Sequence, residues 1–387
     1  MIQMSSPDIT AAEREAVAAV MCTPNLSMGK EILAFEDAFR QRLGCSNAIG
    51  VSSGTAGLHL CLRAAGIGDT NLVITTPYSF VASTNVILYE RAVPVYVDVD
   101  EKTGNIDPQQ VRQAISDLIS GGKAAQRWLP RKGASTAARL KGVLTADVFG
   151  QPVDIDPILE VARQHDLRVI DDSCEALGAT YKNRPAGLLG DYGVFAFYPN
   201  KQITTGEGGI IVTNRDQDAD FMRAMRNQGR APGDTWLQHT HLGYNYRLDE
   251  LSAALGRVQV SRLDELLEKR QRVATWYDER LDKIAGVERP YLAPTTTKVS
   301  WFVYVIRFDP GVDRERVAQT LADQNIPTRP YFLPIHLQTY MRQQFDYREG
   351  DYPVAESLGK CSLALPFSGV MTEESVDTVC RTIQQVI

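Results

Sequence analysis

The residues with the clearest chemical potential are two acids and one lysine that follow short apolar runs. Asp171 and Asp172 end the run 169–172, and Lys201 follows the run 192–198 in a turn rich in Thr and Gly. A lysine amine can form a Schiff base with an aldehyde, and a carboxylate can keep a pyridine nitrogen protonated. A carboxylate at one strand end and a lysine just past another are what a pyridoxal phosphate site needs.

A second group of polar residues, SSGTAG at 52–57, offers donors for an anion. Gly54, Thr55 and Ala56 stand where a short apolar strand passes into a helix predicted over 56–65. The backbone N–H groups of Thr55 and Ala56, with the Thr55 hydroxyl, would face an anion at the positive end of the helix dipole. Ser-Gly-Thr is also a common helix cap, so this segment alone does not identify a phosphate site.

The elements around these residues alternate between strands and helices. An amphipathic helix is predicted over 30–43 and ends at Gly44. Strands that alternate with helices require crossover connections, so we predict a mainly parallel central sheet covered by helices on both faces. The apolar runs lie near 48–51, 72–75, 93–97, 143–148 and 167–170, and the helical patterns near 79–90, 107–119 and 156–165.

The C-terminal third has a different pattern. A long helical stretch, 249–284, is typical of a helix that bridges a large domain to a smaller one. A strand over 300–308 and helices over 313–324 and 372–386 follow it. We therefore predict a large domain over 1–255 and a smaller C-terminal α+β domain over 256–387.

Length and composition restrict the class of protein. The chain has 387 residues, of which 44% are hydrophobic and 23% charged, and it can bury a large core. A net charge of -6 argues against a nucleic-acid binder. The N-terminus shows no secretory signal and no apolar stretch is long enough to span a membrane. The scattered cysteines fit a cytoplasmic protein with reduced thiols, and no Cys, His or Asp spacing predicts a metal site.

One segment interrupts the alternation. Residues 120–142 contain six basic residues and no acid, and strand-forming character returns only at Val143. Its simplest interpretation is a solvated loop. The alternative is that Arg127, Arg131 or Lys132 reaches the diphosphate of a nucleotide-linked substrate.

Five sequence blocks together resemble one known family. They are SSGTAGLHL at 52–60, TTPYSFVAS at 75–83, DVFGQPVDID at 147–156, the stretch 169–213, and LGYNYRLDELSAALG at 242–256. In this order they are similar to the sugar aminotransferases of the DegT/DnrJ/EryC1/StrS family, which are fold-type-I enzymes that use pyridoxal 5'-phosphate, with pyridoxamine 5'-phosphate as the intermediate form. The resemblance covers nearly the whole chain.

The resemblance implies roles for individual residues. It makes Lys201 the Schiff-base lysine and places Asp172 at the pyridine nitrogen. It implies that Phe80 stacks on the cofactor ring and that Asn245 reaches the phosphate of the other subunit across a homodimer with shared active sites. Glu175 stands where relatives carry a residue near the phenolic oxygen, and its role stays open. Relatives that act as dehydratases have histidine at the lysine position, so Lys201 argues against that branch.

The sequence departs from the family pattern at two places. Asp171-Asp172-Ser173-Cys174-Glu175 replaces the family's Glu-Asp-Ala-Ala-Gln run. Asp171 and Asp172 should point to opposite sides of the strand, so only one can hold the pyridine nitrogen. Ala196 replaces the serine of a Phe-Ser-Phe run, so another group must supply that phosphate contact.

Candidates for the substrate side are basic. Arg230, Arg247 and Arg329 could bind the carboxylates of an amino donor. His336, in a block that resembles a family segment near the active site, either contacts the sugar nucleotide or is a buried histidine satisfied by backbone partners.

These expectations lead to a function. We expect a transaminase that moves an amino group from glutamate or glutamine to a keto carbon of a nucleotide-linked sugar, a 4-keto-6-deoxy or 3-keto hexose, for polysaccharide, glycoprotein or antibiotic biosynthesis. One alternative is a ketocyclitol aminotransferase of aminoglycoside-type biosynthesis. The other is a sugar sensor that binds pyridoxal phosphate without turnover, which the combination of Lys201, Asp172 and the phosphate segment disfavours.

Overall fold

The computed structural model describes residues 2–135 and 137–387, so position 136 in the basic segment lies outside the described residues. In chain order the strands are β1 (Asn47–Val51), β2 (Asn71–Thr75), β3 (Val93–Tyr96), β4 (Arg139–Ala146), β5 (Arg168–Asp172), β6 (Thr180–Tyr181), β7 (Arg184–Pro185), β8 (Tyr192–Ala196), β9 (Gly209–Thr213), β10 (Val287–Glu288), β11 (Thr296–Lys298), β12 (Tyr304–Phe308) and β13 (Ser362–Leu365).

The helices of the same residues follow in chain order. They are α1 (Ala11–Met21), α2 (Lys30–Leu43), α3 (Gly54–Ala64), α4 (Ala82–Tyr89), α5 (Pro108–Ser120), α6 (Gly122–Gln126), α7 (Asp156–Gln164), α8 (Asp216–Arg226), α9 (Glu250–Ser261), α10 (Leu263–Leu281), α11 (Arg314–Asp323), α12 (Thr339–Phe345), α13 (Pro353–Cys361) and α14 (Glu373–Val386), with short 3-10 turns at Val148–Gly150 and Ile335–Leu337. None of the helices in the described ranges has the length and apolar character needed to cross a bilayer.

The central sheet has seven strands within the described residues, in the order β1-β9-β8-β5-β4-β2-β3. Strands from β8 to β3 pair in parallel, whereas β9 runs antiparallel to both β8 and β1. β9 is reversed because the fully described segment 197–208 contains no helix that could carry the chain across a sheet face, as a parallel crossover requires. The predicted α/β architecture with a mainly parallel sheet is confirmed.

Helices cover both faces of this sheet. On one face α5 and α7 pack Val111 and Ile158 into the core. On the other face α3 and α8 contribute Leu62 and Met222. Each fully buried side chain of this size stabilises the fold by about 1.5–3 kcal/mol. The two apolar layers hold the parallel strands β8, β5, β4, β2 and β3 so that their carboxyl ends lie at one edge of the sheet.

The long helical pattern is divided in the structure. We predicted one helix over 249–284, but α9 and α10 are separated at Arg262. The Arg262 guanidinium bonds Glu13 at 2.5 Å and Asp8 at 2.9 Å, so residues from the N-terminus hold the junction. The apolar spacing continues through the break, and for that reason the sequence pattern does not reveal it.

The C-terminal region has its own antiparallel sheet, β10-β12-β13, which packs with α10, α11 and α14. Other contacts cross between the two regions. Ile2 packs into the C-terminal core, and Met341 and Phe345 pack into the core beneath the central sheet. The chain thus passes between the cores more than once, and a domain boundary near residue 256 stays a prediction.

The basic segment is more regular than the predicted loop. α5 extends to Ser120, α6 follows at once, and β4 begins at Arg139 rather than at Val143. β4 begins early because Arg139 and Leu140 pair with Asn71 and Leu72 of β2, which supplies hydrogen bonds to their backbone. The polar sequence before Val143 does not by itself indicate a strand.

Candidate active site

A cavity of about 610 Å³ opens at the carboxyl ends of β4, β5 and β8. The N-terminus of α3, the segment 79–83, the turn 198–201 and the segment 330–333 complete its walls. In open α/β sheets this edge is where ligands bind, because the loops that leave the strands surround it. The volume is typical of a site for a cofactor or small molecule.

Lys201 lies in the turn after β8, and its side chain is 13% exposed. Its backbone N–H donates to the Tyr198 carbonyl oxygen at 2.9 Å, which fixes the turn. Its Nζ lies 3.7 Å from Oε1 of Glu175 and 3.8 Å from the centroid of the Phe302 ring. The amine is therefore held in the cavity between a carboxylate and an aromatic face.

The two neighbouring acids of β5 face opposite sides of the sheet. Asp172 lines the cavity, and its Oδ2 accepts a hydrogen bond from the Ser83 hydroxyl at 2.6 Å. Asp171 is buried behind it and accepts from the Thr145 hydroxyl at 2.8 Å and the Gly190 N–H at 3.1 Å. Burial raises the pKa of Asp171 to about 6. Asp172 is thus the member of the pair that faces a ligand.

Two further carboxylates lie on the cavity wall. Burial raises the pKa of Glu175 above its ordinary value, and the Lys201 charge opposes that rise. Oε2 of Glu175 also accepts from the Phe149 N–H at 2.8 Å. Burial, reinforced by the charge of Asp171, raises the pKa of Asp147 to about 8. Burial therefore favours the neutral form of Asp147, which reduces the negative charge at the site.

The N-terminus of α3 contributes donors. Ser53 is the helix cap, and its Oγ accepts from the Ala56 N–H at 3.0 Å. The structure brings Gly54 and Thr55 to the cavity but not Ala56, whose N–H is already bonded within the protein. The first N–H groups of a helix have no acceptor inside the helix, so those of Gly54 and Thr55 can bind an anion.

Gly54 also sets how closely α3 approaches β8. A Cβ at this position would lie 2.7 Å from the Ala196 Cβ and 2.8 Å from the Cys174 Sγ, so only glycine fits. Ala196 stands where the family pattern has serine, and the cavity has hydroxyl groups from other positions, namely Ser53, Thr55, Ser79, Ser83 and Tyr198.

Aromatic rings form much of the remaining wall. Phe80 lies just before α4, rather than inside a helix as predicted, and is 63% exposed at the cavity. Tyr331 and Phe332 also line the cavity and stack on each other with ring centroids 4.9 Å apart. Phe80 is therefore available to contact a planar ligand, as a core phenylalanine would not be.

The substrate-side candidates lie outside the cavity wall. Arg329 is exposed and directly precedes the wall segment 330–333. Arg230 lies beyond α8, with its guanidinium 4.5 Å from the centroid of the Trp236 ring. Arg247 donates to the Asn227 side chain at 3.0 Å, and Asn245 is exposed outside the cavity of its own chain.

His336 is fully buried and does not reach the cavity. Its Nε2 lies 2.9 Å from Oε1 of Glu356, and its ring packs against Tyr352 with centroids 4.8 Å apart. Burial lowers the pKa of His336 although Glu356 favours its charged form. This position supports the interpretation as an internal histidine, with a carboxylate rather than a backbone group as its partner, and it does not support substrate contact.

The basic segment lies beside a second cavity of about 510 Å³. Arg127 and Arg131 line it, but Arg127 bonds Asp117 and Arg131 bonds Asp351 at 2.6 Å. This second cavity shares no lining residue with the first among the described residues. The structure therefore does not bring Arg127 or Arg131 to the site of Lys201, and Lys132 does not line either cavity.

Sequence reasoning missed three contributors to the site. Ser83 lies one helical turn after Phe80 in the block 75–83, and that spacing could have indicated it. Phe302 and Tyr331 come from the C-terminal third. No local pattern separates Phe302 from ordinary core aromatics, whereas Tyr331 lies in the same block as His336, which resembles a family segment near the active site. Their place at the cavity depends on how the C-terminal region packs.

The groups around the first cavity fit pyridoxal phosphate. They include an amine at Lys201, a carboxylate at Asp172 oriented by Ser83, an exposed ring at Phe80, and the donors of the α3 N-terminus for a phosphate. An amine, an acid, an aromatic face and an anion site are the four kinds of group that this cofactor requires. Lys201, Asp172, Phe80 and Thr55 are the residues that would hold it.

Comparison with known proteins places the chain among aminotransferases. The model of the DegT/DnrJ/EryC1/StrS aminotransferase family matches residues 7–384. The chain is 37% identical to the GDP-perosamine synthase of Caulobacter vibrioides over 100% of this chain and 98% of that protein. It is 33% identical to the spore coat polysaccharide biosynthesis protein SpsC of Bacillus subtilis, over 99% and 96%.

A solved structure has the same fold. PseC of Helicobacter pylori, an aminotransferase involved in the biosynthesis of pseudoaminic acid, superposes with a TM-score of 0.87 at 26% identity. The superposition covers 100% of this chain and 98% of PseC.

Proposed function

The chain belongs to the DegT/DnrJ/EryC1/StrS aminotransferase family, as its motifs predict, and from that premise we propose that it aminates a nucleotide-linked keto hexose with glutamate or glutamine as donor. The enzyme is a sugar aminotransferase that depends on pyridoxal phosphate. One observation carries the proposal: the Lys201 amine and the Asp172 carboxylate line one cavity together with Thr55 at the start of α3.

Each residue has a distinct task in this proposal. The cofactor, when bound, supplies an electron sink for the substrate carbon. Lys201 would attach the cofactor, and its amine would take up and return the proton at the reacting carbon of the substrate. Asp172, oriented by the Ser83 hydroxyl at 2.6 Å, would hold the proton on the pyridine nitrogen. The aromatic walls at Phe302 and Tyr331 exclude water and keep the amine in the site.

The substrates are proposed on the chemistry near the cavity and on the relatives. The name of the Caulobacter relative places a nucleoside diphosphate on its product. Arg329 adjoins the cavity wall with its side chain exposed, where a guanidinium could bind the donor carboxylate in two-point geometry. Arg230 is half-buried against Trp236, and it would serve the same purpose from a second subunit.

A homodimer with shared sites completes the proposal. Large apolar side chains are exposed in the same segment as Asn245: Trp236 is 77%, Leu237 85% and Leu242 88% exposed. Exposed apolar side chains this close together are typical of a protein interface. We propose that a second copy covers them and that Asn245 reaches the phosphate in the partner's cavity.

The amination itself can be tested in two stages. Enzyme saturated with cofactor should lose its visible absorption band when mixed with glutamate or glutamine. The same enzyme should then convert a nucleotide-linked 4-keto-6-deoxy or 3-keto hexose to the amino sugar, identified by mass spectrometry. Lys201→Ala should fail at both stages, whereas the exposed-lysine control Lys283→Ala should behave as wild type.

The two stages separate the parts of the proposal. A donor that changes the spectrum while every nucleotide-linked sugar is refused would contradict the substrate class alone, and a ketocyclitol would then be tested. A spectrum that no amino donor changes would favour a sensor without turnover.

The shared site can be tested by mixing inactive subunits. Lys201→Ala and Asn245→Ala proteins should each be impaired, and co-refolding or co-expression should restore about a quarter of wild-type activity, since half of the dimers then carry one intact site. If the mixture stays at the average of the two parents, Asn245 does not act across an interface.

A further inference from the structure

Arg270 of α10 is a buried cation with an unusual set of partners. Its side chain is 4% exposed, and no ion pair joins it to a carboxylate in the part of the chain that the structure describes. Burial lowers the pKa of Arg270 to about 10, so the guanidinium stays charged at neutral pH. A buried charge without a counter-ion is costly unless its hydrogen bonds are satisfied, so its partners must be fixed in place.

Those partners are four backbone carbonyl oxygens in two pairs. Nη2 donates to the carbonyl oxygen of Lys201 at 2.5 Å and to that of Asn200 at 3.2 Å. Nη1 donates to the carbonyl oxygen of Phe302 at 3.2 Å and to that of Trp301 at 3.3 Å. One planar guanidinium thus joins the turn that carries the lysine to the segment that precedes β12.

The second pair matters because of what Phe302 contacts. The face of its ring lies 3.8 Å from the Lys201 Nζ, measured to the ring centroid. An aromatic face attracts an ammonium group and excludes water from it. Arg270 therefore bonds the backbone of Lys201 directly. It also bonds the backbone of Phe302, whose ring contacts the Lys201 amine.

We propose that Arg270 is a positioning residue that sets the place of the Lys201 amine, with Phe302 as the surface on which that amine rests. The inference rests on the proposed role of Lys201 as the attachment residue. A small displacement of a reacting group, even of about 1 Å, can slow a reaction by 100-fold.

The experiment compares how much cofactor is attached with how much is bound. Arg270→Lys, Arg270→Met, Phe302→Leu and Phe302→Tyr proteins are saturated with pyridoxal phosphate, and borohydride then traps the cofactor wherever it is attached. Peptide mass spectrometry gives the fraction of Lys201 modified, and cofactor released from a parallel unreduced sample gives the total bound. Arg280→Met is the matched control, because Arg280 lies on the same helix and bonds Asp377 and Glu373 instead.

We expect the ratio of attached to detached cofactor to fall by about tenfold or more in Arg270→Met and Phe302→Leu. Total cofactor bound should change less than about twofold, since the phosphate and ring contacts remain. The ratio should also fall in Arg270→Lys, because one ammonium group cannot reach both pairs of carbonyl oxygens. Phe302→Tyr keeps the aromatic face, so its ratio of attached to detached cofactor should fall less than that of Phe302→Leu. Arg280→Met, away from the site, should match wild type.

A merely structural role predicts a different result, in which thermal stability falls while the attached fraction stays at the wild-type value. That result in Arg270→Met and Phe302→Leu would overturn the proposal. If Arg270→Met does not fold, Arg270→Lys and Phe302→Leu decide in the same way. If Lys201 is not modified even in the wild-type protein, the proposed function is wrong. That outcome differs from the one that contradicts only the positioning role of Arg270.

Discussion

Two cavities of similar size differ in what their polar groups are free to bind. The first cavity, which we propose as the cofactor cavity, measures about 610 Å³ and the second about 510 Å³. In the first, Asp172 and the start of α3 direct polar groups into the cavity. In the second, Arg127 is bonded to Asp117 and Arg131 to Asp351.

The comparison shows that volume alone does not indicate a functional site. Polar groups whose partners are all within the protein have already gained their hydrogen bonds, and a ligand must displace those bonds to bind. Charged groups that still have an unused hydrogen-bonding position can bind a ligand without losing bonds to the protein. The basic segment is rich in cations, yet the two that line the second cavity, Arg127 and Arg131, are paired with carboxylates, and they illustrate the first case.

The largest expected effect comes from removing the free amine. Lys201→Ala should reduce kcat by about 10⁴-fold or more, because attachment and proton transfer are both lost. Its circular dichroism spectrum should match wild type, since the side chain makes no core contact that the fold requires. Kinetics beside the Lys283→Ala control measure this, and a fully active Lys201→Ala protein would remove the residue from the mechanism.

The adjacent carboxylates of β5 give the next effect. Asp172→Asn should retain cofactor but lose about 10²–10³ in kcat, because the amide cannot hold the ring proton. Asp171→Asn is the matched control: it changes the same group one residue earlier, on the buried side, and should keep kcat within a few fold. Equal losses in kcat for the two variants would mean that the orientation seen here does not decide the role.

A third prediction concerns pH. The pKa of Asp147 is raised to about 8 by burial, whereas in the unfolded chain this carboxyl ionises near its ordinary value. Asp147 therefore stabilises the fold fully at low pH, and that contribution is lost as pH rises toward about 8. Between pH 5 and pH 8, Asp147→Asn should lose less stability than wild type, by about 3–4 kcal/mol.

Urea unfolding of cofactor-saturated protein at the two pH values measures this difference. Thr145→Ser, a change next to the buried acids that titrates nothing, should keep the wild-type pH dependence. If the free energy of unfolding of Asp147→Asn depends on pH as in wild type, another group causes that pH dependence.

The smallest effect is expected in the second cavity. Arg131→Ala should change kcat and the KM for the sugar nucleotide by less than about twofold and cost at most about 1 kcal/mol of stability, because a partly exposed ion pair contributes little. Arg329→Ala, at the cofactor cavity, should raise the KM for the amino donor in the same assay. A large rise in the sugar-nucleotide KM for Arg131→Ala would restore the diphosphate interpretation of the basic segment.

Much of the fold could be predicted because its signals are local. α2 occupies residues 30–43 as predicted and ends at Gly44, whose φ of 71° is the left-handed conformation that glycine adopts readily. The break between α9 and α10 could not be predicted, because it depends on Asp8 and Glu13 meeting Arg262 from the far end of the chain.

The site divides in the same way. Lys201 and Asp172 follow apolar runs that end at the sheet edge, so sequence alone predicted that they would meet. For His336 the sequence left two interpretations open, substrate contact and an internal histidine, and the side chain is buried against Glu356. Burial of a single histidine depends on side chains from several segments, and no short pattern encodes it.

The sequence by itself determined the chemistry: an amine, an acid and an anion-binding turn are residue types placed by local strand and helix patterns. Tertiary structure decided which of the charged groups stay free to bind and which are paired, and it brought Phe302 and Arg270 to the lysine. The physical reason is that backbone carbonyl groups are the same at every residue. Where a buried guanidinium finds four of them can be known only after distant segments have packed.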